Sequence, residues 1–346
     1  MTYSAVLAGC GAMSKGWLDA LSRVPQLAEK IKIVGLMDID PELAKARGAE
    51  FGLSATFHCD LAEALATHKP DFVFDVVPPS ARKTVVLTAL ANGCHVLSEK
   101  PMAASLSDAR EMLDAARNAG RLHAIVQNRR YIEGVRRIRA FLESGAIGKL
   151  TSMHCDFFLA PHFGGFREQM EHVLLLDMAI HTFDAARFMS GTRPLAVYCH
   201  ESNPDGSWFA HGASANAIFE MSDGVTFTYR GSWCADGAPT SWESQWRLVC
   251  TDGSLIWDGE DKYDARARAS EGKFINDLKP VAVPALDTSG TTDGHASVLL
   301  DFLKAVETQS IPETDGSDNI KSLAMVFGAI ESARTHTRTL INLEVN

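Results

Sequence analysis

Three residues of this chain have side chains suited to moving a proton on and off a substrate hydroxyl. Asp177 and His181 lie four positions apart in a helical pattern at 166–189, so they share one helix face. An aspartate can orient a neighbouring imidazole and stabilise its charged form, and imidazole exchanges protons near neutral pH. Lys100 follows the strand pattern at 95–98, where open α/β sheets bind ligands, and its ammonium could hold the reacting oxygen. Taken alone, His181 also fits a core or helix-capping histidine.

A second candidate site is the stretch LAGCGAMS at residues 7–14. Its glycines come directly after a short apolar run and before a helical pattern, which is where a loop binds a dinucleotide pyrophosphate. The residues predicted to bind the cofactor there are Gly9, Gly11, Ala12 and Met13. The same letters resemble a lipoprotein processing box with Cys10 as the lipidated residue. Only MTYSAV precedes that box, without Lys or Arg, and a signal peptide needs a basic start and ~7–15 apolar residues, so the phosphate loop is favoured.

Asp38 ends the second strand pattern, at 32–37. It lies roughly two dozen residues past the glycine loop, where an acid accepts hydrogen bonds from the adenosine ribose. A carboxylate there repels the 2′-phosphate of NADP, and Ile39 follows it instead of a residue that would bind phosphate. The pattern therefore predicts NAD, with NADP disfavoured. The alternative is that Asp38 is only a turn residue beside Asp40, the cap of the next helix.

The first part of the chain supplies a frame that would bring these strand ends together. Up to about residue 127, apolar strands alternate with helical patterns, which predicts a parallel sheet with helices on both faces. The predicted strands are 5–8, 32–37, 72–77, 95–98 and 122–126. Four helices are predicted: one ends near residue 24, one starts at Asp40-Pro41, and the other two cover 80–92 and 107–119.

The second part of the chain changes character. After the helical pattern at 166–189, strand-like alternation dominates 197–257, with Asp-Gly turns, and predicts a largely antiparallel sheet. The stretch 280–294 is predicted to be a loop, and helices at 295–308 and 317–335 close the chain. We therefore expect an α/β fold of two domains, at 1–127 and 128–346.

Two motifs and their order give the chain a resemblance to a known family. Glu99-Lys100-Pro101 ends the stretch ALANGCHVLSEKP, and Asp177 and His181 have the spacing of a D-x-x-x-H motif in LLLDMAIHTFDAARFMSG. With the glycine loop and Asp38 in the same order, the whole chain resembles the Gfo/Idh/MocA family, named for glucose–fructose oxidoreductase and inositol dehydrogenase. The resemblance implies a Rossmann domain, then an α/β domain with a large, mostly antiparallel sheet. It also implies NAD(P)-linked oxidation or reduction of a sugar, polyol or derivative.

The resemblance also implies roles for single residues. Lys100, Asp177 and His181 match the family's catalytic residues, and Pro78, Glu99 and Lys100 would join the cofactor site. The chain departs from the family pattern where His172-Val173 and Ala179 replace glycines, and where VPPSAR at 77–82 replaces Thr-Pro-Asn-x-x-His. Neither change removes a proton-handling residue, but both leave the substrate open. The candidate substrate-binding residues are Lys100, Asn128, Arg130, His162, Arg167, His172, Asp177 and His181, and Arg130 also fits a surface or interdomain charge.

Composition narrows the class of partner. The net charge is −10, from 33 basic and 43 acidic residues without a basic block, which argues against nucleic acid and anionic membranes. No apolar run approaches the ~18 residues of a membrane span. Seven scattered cysteines without a CxxC pair fit a reducing cytosol and give no metal site. We expect a cytoplasmic homodimer or homotetramer that assembles through the C-terminal sheet.

These observations predict an NAD-dependent dehydrogenase of a monosaccharide or polyol, in which His181 or Lys100 takes the hydroxyl proton. Two alternatives stay open. An NAD-using glycoside hydrolase would oxidise its sugar only transiently and would accumulate no NADH. A ligand-sensing regulatory protein on this fold would bind without turnover, although such a protein could lose Lys100, Asp177 and His181, which this chain keeps.

Overall fold

The computed structural model describes residues 1–272, 274–286 and 294–342. The described residues form two compact units. Unit 1 comprises 1–131 and 294–323, and unit 2 comprises 132–286 and 324–342. Unit 1 contains a parallel sheet and unit 2 a mostly antiparallel one, so the predicted fold class is confirmed.

The first 131 residues alternate strands with helices. The strands are β1 (Tyr3–Ala8), β2 (Ile31–Met37), β3 (Thr56–His58), β4 (Phe72–Asp75), β5 (His95–Ser98) and β6 (His123–Ile125). The helices are α1 (Ser14–Arg23), α2 (Pro25–Lys30), α3 (Pro41–Glu50), α4 (Leu61–His68), α5 (Pro79–Ala91) and α6 (Leu106–Ala119), followed by a 3₁₀ turn at Asn128–Tyr131. The sheet order is β3-β2-β1-β4-β5-β6 with all neighbours parallel, so the carboxyl ends of β1, β2, β4 and β5 share one edge.

Local sequence explains where several of these helices begin and end. The side chain of Asp40 accepts the backbone N–H of Glu42 at 3.0 Å and Pro41 follows it, so α3 starts as predicted. Ser105 caps α6 in the same way, and Gly120 ends that helix in the left-handed conformation. Strands β4 and β5 carry almost only buried side chains, as expected for strands covered on both faces.

Unit 2 is built on a large sheet. Its elements up to residue 286 are α7 (Glu133–Glu143), β7 (Leu150–Phe158), a 3₁₀ turn (Gly165–Gln169), a π-helical turn (Leu174–Ala179), α8 (Ile180–Ser190), β8 (Pro194–Ser202), β9 (Ser214–Met221), a 3₁₀ turn (Ser222–Gly224), β10 (Thr226–Ser232), β11 (Gln245–Cys250), β12 (Gly253–Trp257), β13 (Tyr263–Arg268) and β14 (Leu278–Val281). The chain closes with α9 (Gly294–Thr308), α10 (Gly316–Thr335) and β15 (Thr339–Leu340). The sheet order is β14-β13-β12-β11-β7-β10-β9-β8-β15, and the β7–β10 pair is parallel while the other pairs are antiparallel.

The structure differs from the expected single boundary at residue 127. The first 131 residues form unit 1 together with 294–323, which the sequence placed in the second domain. The reason is packing by α9, since the ring of Phe302 lies edge-on against that of Phe72 with centroids 5.3 Å apart. An apolar helix face does not say in the sequence which sheet it will cover.

The predicted single helix at 166–189 is wrong in its first part, because the structure breaks it near residues 170–172. Met170 is extended and His172 has φ +54°, so the 3₁₀ turn is separate, whereas the π-helical turn runs directly into α8. Two contacts hold the chain out of a helix there: the carbonyl of Glu168 accepts the N–H of Ala210 at 2.8 Å, and His172 binds Glu201 on β8.

The predicted loop at 280–294 is corrected at its start. Residues 280 and 281 belong to β14, and 287–293 lie outside the described residues. None of the helices in the described part of the chain is both long enough and apolar enough to span a membrane.

Candidate active site

The backbone requires glycine at position 9 of the loop that follows β1. Gly9 has φ +95°, and a Cβ there would lie 2.7 Å from the carbonyl carbon of Val76. At Gly11, by contrast, an added Cβ would meet no atom within 4 Å, so this side of the loop is open. Met13, at the N-cap of α1, gives no side-chain cap to the helix. Pro78 lies just before α5, two residues beyond Val76.

The loop presents unused hydrogen-bond donors. The residues are Gly11, Ala12 and Met13, which are exposed and whose backbone N–H groups meet no acceptor among the residues that the structure describes. Successive free N–H groups at the start of a helix suit an anion such as a phosphate. The predicted phosphate loop therefore has the open face and the donors that a dinucleotide requires.

Asp38 is tied directly to this loop. Its Oδ2 accepts the backbone N–H of Cys10 at 2.7 Å, and its Oδ1 accepts the N–H of Asp40 at 3.0 Å. The cap of α3 is Asp40, so the two carboxylates have different tasks. Each oxygen of Asp38 keeps capacity for a second hydrogen bond, because a carboxylate oxygen accepts about two. The half-buried Asp38 is thus more than a turn residue.

The side chain of Cys10 lies inside the fold. It is fully buried, and burial, reinforced by the charge of Asp38, raises the pKa of its thiol to about 12. Lipoprotein processing before Cys10 would also remove Tyr3–Ala8, the strand between β2 and β4. Both facts favour the phosphate loop over the lipidation box for this stretch.

Arg47, which was not predicted from the sequence, holds the other side of the same loop. This buried side chain of α3 donates to the carbonyl of Cys10 from Nε at 3.3 Å and from Nη2 at 3.1 Å. Nη2 also donates to the carbonyl of Gly11 at 3.0 Å. The helical spacing of Arg47 with Ala44 and Gly48 could have indicated that it faces inward, because these three residues are the buried face of α3.

The carboxylate of Glu99 is buried and used within unit 1. Oε1 accepts the indole N–H of Trp17 at 2.8 Å, and Oε2 accepts the backbone N–H of Lys100 at 3.1 Å. His295 of α9, which was not predicted from the sequence, places its Nε2 3.4 Å from Oε1 of Glu99. The side-chain amide of Asn128 donates from Nδ2 to Nδ1 of His295 at 3.2 Å. Burial would raise the pKa of Glu99, but His295, Trp17 and Lys100 together hold it below the usual range.

Lys100 sits in a turn that Arg82 supports. The Lys100–Pro101 peptide is cis. Arg82 donates from Nη1 to the carbonyl of Pro101, from Nη2 to that of Val77 at 2.6 Å, and from Nε to Asp75 at 2.8 Å. Arg82 stands where the family pattern has histidine, and its buried ion pair with Asp75 fixes the segment that carries Lys100.

Arg130 is engaged inside unit 1. It is buried, forms an ion pair with Asp318, and donates from Nη1 to the carbonyl of Glu313 at 2.8 Å. These contacts attach the 3₁₀ turn after β6 to the segment before α10. They favour the interpretation of Arg130 as a structural charge over substrate binding.

In unit 2, the Asp177 carboxylate is held by Arg167. The Nε of Arg167 lies 3.0 Å from Oδ2 of Asp177, and both side chains are partly buried. Asp177 lies in the π-helical turn and His181 in the first turn of α8, where it is 9% exposed. Arg167 thus joins the predicted Asp177 as a charged pair in the segment that leads to His181.

A second histidine–carboxylate pair lies just upstream. Nδ1 of His172 binds Oε2 of Glu201 on β8. This hydrogen bond raises the pKa of His172, against the opposing effect of partial burial. Glu201 was not predicted, and no local signal in the strand marks it.

His162 lies in the loop after β7, as expected. Its ring stacks on Trp208 with centroids 3.8 Å apart, and it is exposed. The guanidinium of Arg167 lies over the rings of Phe163 and Phe166 at 5.2 and 5.1 Å. This part of unit 2 therefore offers imidazole, guanidinium and aromatic surfaces close together in the chain.

Comparison with known families assigns the class of protein. Residues 3–127 match the model described as oxidoreductase family, NAD-binding Rossmann fold, and residues 135–256 match the GFO/IDH/MocA C-terminal domain. The two matches together cover more than half of the chain. The chain therefore belongs to the Gfo/Idh/MocA family of oxidoreductases, which confirms the resemblance seen in the motifs.

Individual relatives extend this result. A D-apiose dehydrogenase from Paraburkholderia graminis is 27% identical over 339 residues, covering 96% of this chain and 88% of that protein. An oxidoreductase from Agrobacterium radiobacter, solved in complex with NAD+, L-tartaric acid and magnesium, has a TM-score of 0.86 at 22% identity, covering 99% of both chains. A levoglucosan dehydrogenase in complex with NADH and levoglucosan has a TM-score of 0.83 at 19% identity, covering 99% of this chain and 100% of that one. At such identities the solved structures establish the common fold.

Proposed function

We propose that this chain is an NAD-dependent dehydrogenase acting on a hydroxyl-bearing carbon of a monosaccharide or polyol. The observation that carries the proposal is the open glycine loop, whose N–H groups at Gly11, Ala12 and Met13 have no acceptor among the described residues. Family membership supplies the reaction class. The substrate class follows relatives named for sugars, such as the D-apiose dehydrogenase.

Asp38 selects the cofactor in this proposal. Its two oxygens, already oriented by the N–H groups of Cys10 and Asp40, would accept the ribose hydroxyls, and their charge would repel a 2′-phosphate. Ile39 is 91% exposed and brings no cation to that position. When bound, the nicotinamide would accept or donate the hydride. Pro78 and the backbone after Glu99 would border it, while the Glu99 carboxylate stays in its internal contacts.

Lys100, Asp177 and His181 handle the substrate proton in this proposal. His181 takes the hydroxyl proton, because neutral imidazole is a base near physiological pH. The ammonium of Lys100 holds the reacting oxygen and favours its alkoxide. Asp177, kept in place by Arg167 at 3.0 Å, supports the positive charge that develops on the imidazole.

The remaining candidate substrate contacts divide into two groups. His162, Arg167 and His172 offer donors to hydroxyl or carboxylate groups, and each is exposed or partly exposed. Asn128 is a weaker candidate because its amide already donates to His295. Arg130 is assigned a structural role, as its internal ion pair indicates.

We further infer that two or four copies assemble in the cytoplasm through the sheet of unit 2. Tyr198 on β8 and Ile218 on β9 are direct cross-strand partners and are 46% and 52% exposed, beside Leu195 at 42%. Exposed apolar side chains on a sheet face commonly mark an interface. Light scattering should show a dimer or tetramer that Ile218→Lys weakens, and a monomeric wild type would contradict the assignment.

The experiment for the function is a panel of aldoses, inositols, polyols and their glycosides with NAD+ and NADP+, followed by NADH or NADPH absorbance, by sugar release and by calorimetric binding. Accumulation of NADH with one substrate supports the proposal. Cleavage of a glycoside without net NADH would identify the hydrolase. Binding of NAD+ and a sugar without turnover would identify the sensor. A clear preference for NADP+ would refute the role given to Asp38.

A further inference from the structure

We propose that Arg47 is a positioning residue for the cofactor pyrophosphate, because its hydrogen bonds fix the orientation of the peptide planes in the glycine loop. The inference rests on the proposed binding of a dinucleotide to this loop. Arg47 would act through the loop carbonyls that it binds and not by touching the cofactor. Three observations carry it, namely the hydrogen bonds of Arg47, the geometry of the peptides it holds, and the charges around it.

The hydrogen bonds place Arg47 on two successive carbonyls. Nε and Nη2 donate to the carbonyl of Cys10 at 3.3 and 3.1 Å, and Nη2 donates to that of Gly11 at 3.0 Å. The carbonyl of Gly11 also accepts the hydroxyl of Ser14 at 2.7 Å. From the opposite direction, Asp38 accepts the N–H of Cys10 at 2.7 Å. Side chains therefore hold both the backbone N–H and the carbonyl of Cys10.

Peptide geometry then determines the direction in which the free N–H groups of the loop point. In a trans peptide, the C=O of one residue and the N–H of the next point opposite ways. The carbonyls of Cys10 and Gly11 point to Arg47, so the N–H groups of Gly11 and Ala12 point away from it. These are two of the groups that meet no acceptor among the described residues. Arg47 therefore pre-orients the donors that an anion would use, which reduces the ordering cost of binding.

Ion pairs keep the guanidinium of Arg47 on the side of the loop to which the carbonyls of Cys10 and Gly11 point. Arg47 is buried, and its Nη1 forms an ion pair with Glu50. Glu50 in turn binds Lys15 of α1 at 2.7 Å. The planar guanidinium suits this task, because it can donate to Glu50 and to two carbonyls at once, whereas a lysine ammonium cannot keep that fork.

The test compares ligands with and without the pyrophosphate. NAD+, ADP-ribose and adenosine are titrated into the wild type, Arg47→Met and Arg47→Lys by calorimetry, with competition against NAD+ for weak ligands. Lys45→Met is the matched control, because it removes an exposed cation from the same helix, paired only with Glu42 at 2.8 Å in the contacts described. Arg47→Met should raise the Kd of NAD+ and ADP-ribose by about tenfold or more, because the loop would then have to be ordered when the ligand binds.

The pattern across ligands separates positioning from general damage. Adenosine lacks the pyrophosphate, so its Kd should change less than about twofold in Arg47→Met, whereas Lys45→Met should leave all three values unchanged. Arg47→Lys should also weaken the binding of ADP-ribose. If Arg47→Met does not fold, the Kd values of Arg47→Lys test the inference instead. An unchanged ratio of the ADP-ribose and adenosine Kd values in the Arg47 variants would overturn the inference. A wild type that binds no dinucleotide would instead overturn the proposed function, and the inference with it.

Discussion

Replacing Arg82 with methionine should destabilise unit 1 and disturb the turn that carries Lys100. The side chain of Arg82 is 1% exposed and that of its partner Asp75 is 0% exposed. Besides this ion pair, Arg82 donates to the carbonyls of Val77 and Pro101. Methionine fills part of the volume, but it leaves a buried carboxylate without its cation and two carbonyls without these donors.

The size of the effect follows from the burial. Removing one partner of a buried ion pair costs ~3–5 kcal/mol. In a unit of this length, each 1 kcal/mol lowers Tm by ~2–4 °C, so the Tm of unit 1 should fall by ~6–20 °C in differential scanning calorimetry. Arg82→Lys should recover part of the loss, since it restores the charge but not the three-way contact.

Lys83→Met is the control for this experiment. Lys83 is the next residue of α5, its side chain is 36% exposed, and it pairs with Asp108 and Glu111 at the surface. Its removal should leave Tm close to the wild-type value, because exposed ion pairs contribute little. Equal Tm values for Arg82→Met and Lys83→Met would refute the structural role assigned to the buried pair.

Three further predictions concern the loop and the second histidine pair. Gly9→Ala should destabilise the fold by more than ~1 kcal/mol, because its φ is +95° and its Cβ would lie 2.7 Å from Val76, whereas Gly11→Ala should leave Tm unchanged and weaken NAD+ binding. Equal Tm values for these two variants would contradict the loop geometry. Asp38→Ala should raise the Kd of NAD+ by roughly tenfold and narrow its preference over NADP+, and an unchanged ratio would make Asp38 only a structural residue. His172 has a raised pKa, so its bond to Glu201 should stabilise the fold fully below the unfolded pKa of ~6.5 and lose that effect as pH rises through the folded pKa. The Tm difference between wild type and Glu201→Gln should shrink as pH rises from ~6.5 through the folded pKa of His172, and a constant difference would contradict this pair.

The parts that the sequence predicted correctly depend on local rules. Alternation of apolar strands with helices is a property of short windows, and it located the parallel sheet. Asp40-Pro41 at the start of α3 acts within a few residues of itself. The glycines after β1 can be recognised from their neighbours in the sequence, although the contact that requires Gly9 is with Val76. The order of the glycine loop, Asp38 and the Glu99-Lys100-Pro101 motif identified the family, as the family models confirm.

The parts that the sequence did not predict depend on contacts distant in the chain. Arg47 meets the carbonyls of the glycine loop 36 or 37 positions away, and Arg82 meets Pro101 19 positions away. His295 meets Asn128 and Glu99 167 and 196 positions away. No window of local sequence contains such pairs. The helical periodicity at 166–189 was overridden for the same reason, because Glu201 binds His172 from a strand 29 residues further on. Candidate functional side chains could therefore be proposed from the sequence, whereas the residues that hold them could not.

Turnover of folded Lys100→Ala and His181→Ala on the best substrate from the sugar panel tests directly whether these residues handle the substrate proton. The kcat of each variant should fall by about 10²–10⁴-fold, which is the usual contribution of a positioned acid–base group. The Kd of NAD+ should stay close to the wild-type value, because the glycine loop and Asp38 are intact. The losses should not add in the double variant, since the residues would act on one proton. Near wild-type turnover in both single variants would show that neither Lys100 nor His181 handles the proton and that it leaves by another route.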